Sequence, residues 1–136
     1  MYWNKPITIY NAYEDTTGEK KYFRHNLFNC FVKRMDIRTT DGTATTRTGD
    51  TIVRIPKQPN YVDAYEWQKL PIASKLTIQT GDIIVLGFVN DDISELESGK
   101  RSKDLKKKYQ AMGVIEVAEF NDNTFLPLPH YHIRGK

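Results

Sequence analysis

The sequence predicts a mainly β protein: a small antiparallel β-barrel or sandwich with one long inter-strand loop and one or two short helices. Two observations carry this. The stretch 76–89, LTIQTGDIIVLGFV, sets strand-forming residues on either side of Thr80-Gly81-Asp82, a turn signal in which glycine can take a positive φ and aspartate can bond local backbone. After that turn Ile83, Ile84, Val85, Leu86, Phe88 and Val89 are apolar on both alternating faces, the pattern of a strand covered on both sides. The stretch reads as a central β-hairpin whose second strand lies at the middle of a closed or nearly closed domain.

In chain order, ITIYNAY opens a first strand with Ile7 and Ile9 on one face, and a polar turn over 14–19 follows. A long strand runs from Lys20 to about Arg34. Its apolar parity changes midway: Phe23 and Leu27 share one register, whereas Phe28, Cys30 and Val32 share the other. A bulge near Asn26 would reconcile them and add the bend that a small barrel needs. Residues 37–51, IRTTDGTATTRTGDT, contain seven threonines and no large apolar residue after Ile37. That composition gives either a flexible surface hairpin or a mobile loop directed at a partner or ligand.

DTIVRIP supplies the next strand, and 61–71 fits a short helix or turn capped by Asp63 and stopped by Pro71. The charged insertion 91–112 gathers acids first and bases last, with Ser98-Gly99 between them. It reads as two short helical turns or an ordered loop. Its lysine run fits a solvated face or, more sharply, phosphate contact. GVIEVAEFN is a strand closed by Asn121-Asp122-Asn123. In TFLPLPHYHI, Pro127 and Pro129 remove two N–H donors from the same side of an extended chain. The segment 124–136 is therefore expected to be an edge strand, or to leave the domain and dock on a neighbouring subunit.

The 136 residues suit a single domain, 1–136. Apolar content is 39%, mean hydropathy is −0.60, and the net charge of +3 with pI near 8.9 is only mildly basic. That balance permits nucleic acid nearby without demanding it. One cysteine, Cys30, excludes an internal disulfide and a cysteine zinc site, and is expected as a small core residue. No apolar run reaches the ~20 residues of a membrane span, and MYWNKPITIY lacks a signal-peptide core, so the protein is expected in the cytoplasm of the cell that makes it, without membrane contact.

His130 and His132 form an H-x-H pair on one strand face. The only other histidine is His25, which the sequence does not place nearby. No serine-hydrolase motif, P-loop, dinucleotide glycine pattern or HExxH occurs. The chain is expected to be neither an enzyme nor a carrier of a metal or cofactor.

The segment from Trp67 and Leu70 through LTIQTGDIIVLG resembles small proteins encoded among the head and neck genes of tailed bacteriophages and prophages of Gram-positive bacteria. These are minor capsid or head–tail connector proteins. PITIYNAYEDTTGEKKYFR is similar to their opening strand–turn–strand, Ile93-Ser94-Glu95-Leu96 sits where they carry a charged insertion, and PHYHIRGK resembles their ending. The resemblance covers most of the chain and implies a β-barrel subunit of a homo-oligomeric ring in the virion neck, a hexamer in preference to a dodecamer. Adaptor, head-closure (stopper) and tail-terminator layers all remain open. The implied partners are an adaptor or portal-side neck protein, a tail-terminator or tail-side protein, and the packaged DNA, touched without regard to sequence.

Residues 37–51 lie where stopper-type proteins carry their channel loop. Arg38, Thr39, Thr40, Asp41, Gly42, Thr45, Thr46 and Arg47 are the expected DNA-channel residues. Gly81 and Asp82 are the expected structural turn. Trp67, Phe125, Leu126, Leu128, His130, Tyr131 and His132 are expected at subunit or layer contacts. The competing reading is a small OB-like barrel binding nucleic acid through exposed aromatics such as Tyr22, Phe23 and Phe31.

Overall fold

A computed structural model describes residues 3–14, 17–40, 45–69 and 74–136, with side chains omitted over 35–40 and 45–49. The backbone forms β1 (Lys5–Glu14), β2 (Lys20–Thr40), β3 (Thr45–Pro56), α1 (Ala64–Lys69), β4 (Ile83–Val85), α2 (Ser102–Lys108), β5 (Val114–Asn123) and β6 (His130–Gly135). The strands close into an antiparallel barrel in the order β1-β2-β3-β6-β5-β4. The fold class read from the sequence is the one found.

The barrel closes because two long strands bend. β2 pairs with β1 through its first half and with β3 from Phe31 onward. β5 likewise passes from β4 to β6. Each carries a register irregularity where it turns. Cys30 faces Lys5 while Leu27 faces Ile7, so β2 has one extra residue there, and Asn29 takes φ 57° to accommodate it. This bulge is the parity change seen in the sequence, but it lies three residues beyond Asn26. Leu27 and Cys30 consequently both point inward. On β5, Val117 faces Gly135 and Glu119 faces Arg134, so Ala118 is the extra residue.

The interior packs Ile7, Ile9, Leu27, Cys30, Val53, Ile55, Ile84, Ile115, Val117, Tyr131 and Ile133. Burial pushes the Cys30 thiol up to about 12, as for an inert core side chain. A second cluster lies outside the barrel, where Tyr10, Ile83, Val85, Val89, Ile93 and Leu105 meet. β4 is thus buried on both faces, as its sequence requires, but its outer cover comes from 89–93 and α2, not from further strands. Thr8 Oγ1 donates to the Gly87 carbonyl at 2.9 Å, Val89 N donates to Thr8 Oγ1 at 3.1 Å, and Tyr10 Oη donates to the Asp91 carbonyl at 2.5 Å. The charged insertion is therefore an ordered cover with one helix, its charges outward and Leu105 inward.

Three expectations are corrected. The run 76–79 forms no ladder with β4: Leu76 makes one parallel bridge to Tyr61, and Leu76 and Ile78 enter the barrel interior. Only the 80–82 turn of the expected hairpin remains, with Gly81 at φ 94°. Trp67, expected at an interface, is 1% exposed, donates Nε1–H to the Lys75 carbonyl at 3.1 Å, and meets Tyr13 and Phe23 edge-on. Asp63 does cap α1, accepting from Tyr65 N at 2.9 Å, while Pro71 lies outside the described residues.

The C-terminal segment is the third correction. β6 is neither an edge nor a departing arm but lies between β3 and β5, burying Tyr131 and Ile133 and most of His130. The two prolines sit in the preceding loop, where their missing N–H groups cost no ladder bonds. Of the two forms expected for 37–51, a surface hairpin or a mobile loop, the paired one is found: β2 and β3 remain paired through it from Ile37↔Thr48 to Thr40↔Thr45, with 41–44 outside the described residues.

Asp82 is fully buried and ties the turn to β1. Its carboxylate accepts from Ala12 N at 3.0 Å, Asn11 Nδ2 at 2.9 Å and Gln79 N at 3.1 Å, and Asn11 Nδ2 also donates to the Thr77 carbonyl at 2.6 Å. Burial pushes the carboxyl up to about 6, with those three N–H donors pulling the other way.

Closure and this buried acid give four testable outcomes. A Cβ on Gly135 would run into the Glu116 backbone carbonyl, so Gly135→Ala should lower stability by about 1–3 kcal/mol in a chemical denaturation series. A chain ending at Asn123 loses β6 altogether and should show no cooperative melt by circular dichroism, whereas a folded truncated chain would contradict the closure. Because the folded pKa of Asp82 stands above the ordinary 3.8, its contribution is full below about pH 4 and is lost as pH rises through about 6. Stability should fall across that window by about 3 kcal/mol from this group. Asp82→Ala strands the three donors: near pH 4 it should cost at least about 2 kcal/mol and flatten the slope.

Candidate functional site

Beyond the last β3–β6 pair, Thr51↔Gly135, the outer parts of β2 and β3 continue with only each other as partners. The pairs Met35↔Asp50 through Thr40↔Thr45 form a two-stranded ribbon leaving the barrel at the Gly135 end of β6. Arg38 and Arg47 are matched in register, as are Thr39 with Thr46 and Thr40 with Thr45. Asp41 and Gly42, the other expected channel residues, fall outside the described residues. A two-stranded ribbon in water is marginal on its own, and both of its long edges lack a ladder partner among the described residues.

The opposite end of β6 carries the loop 124–129. Thr124 N and Oγ1 donate to Asp122 Oδ1 at 3.0 and 2.6 Å, and Leu126 N donates to the Asn123 carbonyl at 3.2 Å. Asn123↔His130 is the last ladder pair before it. On this tethered turn Phe125 is 80% exposed, Leu128 57% and Leu126 39%, a concentration of apolar surface that folding leaves in water. Of the seven expected contact residues, these three have the exposure such a role needs. Trp67 and Tyr131 belong to the core, His130 is nearly buried, and His132 is half-buried.

The two histidines lie on the outward face of β6. His130 Nδ1 is 2.8 Å from the Leu128 carbonyl, and its ring meets Trp3 edge-on at 5.6 Å. His132 is held below its ordinary value by burial, then by Arg54 and His130. His25 sits on the part of β2 paired with β1 and bonds to the Lys75 backbone, away from this pair. Among the described residues no three His, Cys, Asp or Glu side chains are grouped to hold a metal.

The three aromatics weighed for nucleic-acid stacking are separated. Tyr22 packs on the outer cluster, Phe23 against Trp67, and Phe31 beneath the Arg54 guanidinium at 5.1 Å. The sequence reading missed Arg54 and Trp3. The alternation in TIVRIP was the available signal for Arg54: Val53 and Ile55 face inward, so Arg54 faces out. No feature of the N-terminal residues pointed to Trp3. It also missed the exposed pair Phe28 and Phe88, stacked at 5.8 Å beside the β2 bulge.

No curated protein and no solved structure matches the chain. A family of unknown function, DUF6751, matches residues 2–136, and the chain belongs to that family.

Proposed function

We propose that the protein is a structural subunit of a ring in the neck of a tailed-phage virion, linking the portal side to the tail and helping to retain or gate the packaged DNA. The observation that carries this reading is the ribbon leaving the closed barrel beyond Thr51↔Gly135. A barrel with every strand paired needs no appendage for its own stability. A polar, threonine-rich ribbon with two open edges gains most when neighbouring subunits surround it. The exposed Phe125, Leu126 and Leu128, at the other end of β6, suit contact with an adjacent subunit or layer. The likeness of the sequence to connector proteins supports the same reading.

In this arrangement the ribbons point into the lumen, where Arg38 and Arg47 meet phosphates. Such contacts are sequence-blind and salt-sensitive, as a conduit requires. Asp36 and Asp50, also on the ribbon, limit the attraction and keep the passage from trapping its cargo.

Replacing Arg38–Arg47 by a Gly-Ser turn that closes on the Ile37–Thr48 pair should leave the barrel folded and the particles assembled. The expected defect is loss of packaged genome, read as the ratio of DNA to capsid protein in purified particles. Normal retention and delivery would remove the gating role. Separately, the double variant Phe125→Ser/Leu128→Ser should keep the wild-type melting temperature and fail to enter particles. Normal incorporation would show that this loop contacts neither subunit nor layer.

A further inference from the structure

We infer that copies of this chain join head to tail, the 124–129 loop of one seated on the Phe28–Phe88 pair and adjoining groove of the next. The inference rests on the proposal above that this loop is a subunit contact, and it names the surface that receives it.

The β2 bulge builds the receiving surface. Leu27 and Cys30 both point inward across the extra residue, so Phe28 is turned out of the barrel. Phe28 is 57% exposed and stacks at 5.8 Å on Phe88, which is 48% exposed. Beside the pair runs a groove lined by Lys5, Pro6, Val32, Arg34, Leu86 and Met112. Pro6 stands level with Phe28 in the β1–β2 register, and Leu86 is two residues from Phe88, so groove and pair adjoin.

Topology sets the direction of the contact. Phe28 lies on β2 and Phe88 just past β4, the two ladder partners of β1. The loop joins β5 to β6, and in the closed order β6 is third from β1 whether counted through β2 and β3 or through β4 and β5. The two apolar patches thus belong to opposite sides of the barrel. A patch that meets its own copy makes a closed pair and leaves the other patch in water. A patch that meets the other kind covers both, and repeating that contact gives a ring when the rotation closes. Phe28, Phe88 and Met112 on one side, and Phe125, Leu126 and Leu128 on the other, expose only part of their surface. That falls short of the roughly 800 Å² per partner of a stable pair. Two free copies therefore bind weakly, and a closed ring, in which each copy makes the contact twice, gains from closure.

Charge fixes the fit. Lys5 and Arg34 border the groove, both exposed, and Arg34 Nη2 donates to the Met112 carbonyl at 2.5 Å, which holds it at the rim. Asp122 is exposed at the start of the loop, its Oδ1 accepting from Thr124 N and Oγ1. Among the described residues neither Lys5 nor Asp122 has an ion-pair partner in its own chain. Lys57, whose N–H donates to the Pro129 carbonyl at 3.3 Å, borders the loop on its β3 side. The loop accordingly enters with Asp122 toward Lys5 and Arg34, and its apolar side chains on Phe28 and Phe88.

The test is cross-linking between two full-length variants, Asn4→Cys and Asn121→Cys, with a short bismaleimide at high protein concentration. Both positions are exposed and lie next to Lys5 and Asp122, outside the apolar surfaces. Native Cys30 is buried, so the unmodified chain serves as the blank. The mixture should give a covalent dimer that neither variant gives alone. Adding Lys5→Glu to the first variant should lower the yield about two- to fivefold, as for an exposed ion pair. Adding Phe28→Ser/Phe88→Ser to it should remove the dimer. The contact is overturned by cross-links between like variants only, by none in the mixture, or by a yield indifferent to Phe28→Ser/Phe88→Ser. Mass spectrometry of particles carrying the unmodified chain tests the neck assignment separately. Cross-linking by a chain absent from particles keeps this contact and removes the neck role. No cross-link from a chain present in particles removes the contact and assigns the loop to another neck protein.

Discussion

A three-residue strand buried on both faces cannot lie in a sheet that has water on one side. Ile83, Ile84 and Val85 fill opposite clusters, and fully burying each such side chain is worth about 1.5–3 kcal/mol. That gain exists only if the inner face is closed by a barrel and the outer face is roofed. The two bulged strands supply the closure, and the 89–112 segment supplies the roof. The buried Asp82 holds the turn leading into β4 against β1, so strand placement depends on a polar network as well as on apolar packing. The charge-rich insertion is part of the fold for this reason, since removing it would expose Tyr10, Ile83 and Val85 together.

The features legible in the sequence were those that local chemistry dictates. Two-sided apolarity identified β4, broken parity identified a bend in β2, and Gly81 marked a turn that takes a positive φ. The failures came where tertiary context decides. Trp67 could be read as a surface aromatic because nothing nearby shows that Tyr13 and Phe23 close over it. Proline alternation suggested an unpairable strand, but both prolines lie just before β6 and cost it nothing. Threonine-rich 37–51 lacks core-forming residues, so its sequence left a surface hairpin and a mobile loop both open. Threonine is also a strand former, and pairing begun in the barrel carries onward past its rim.

The candidate sites show the same division. The exposed leucines and Phe125 could be found from the sequence because their proline-rich setting leaves them few intramolecular partners. The Phe28–Phe88 pair could not, because its members are far apart in sequence and meet only where the β2 bulge turns Phe28 outward. Together these features describe a barrel with distinct surfaces: a projecting ribbon and an apolar loop at the other end of β6.

The central claim is that these surfaces serve assembly in a virion neck. Its most direct test is a reconstruction of intact particles made by the genome that encodes this chain, combined with mass spectrometry of their purified protein. The account predicts a closed ring of barrels between portal and tail, with the 35–50 ribbons turned toward the DNA channel. A chain absent from purified particles, or a ring whose ribbons face outward, would contradict it.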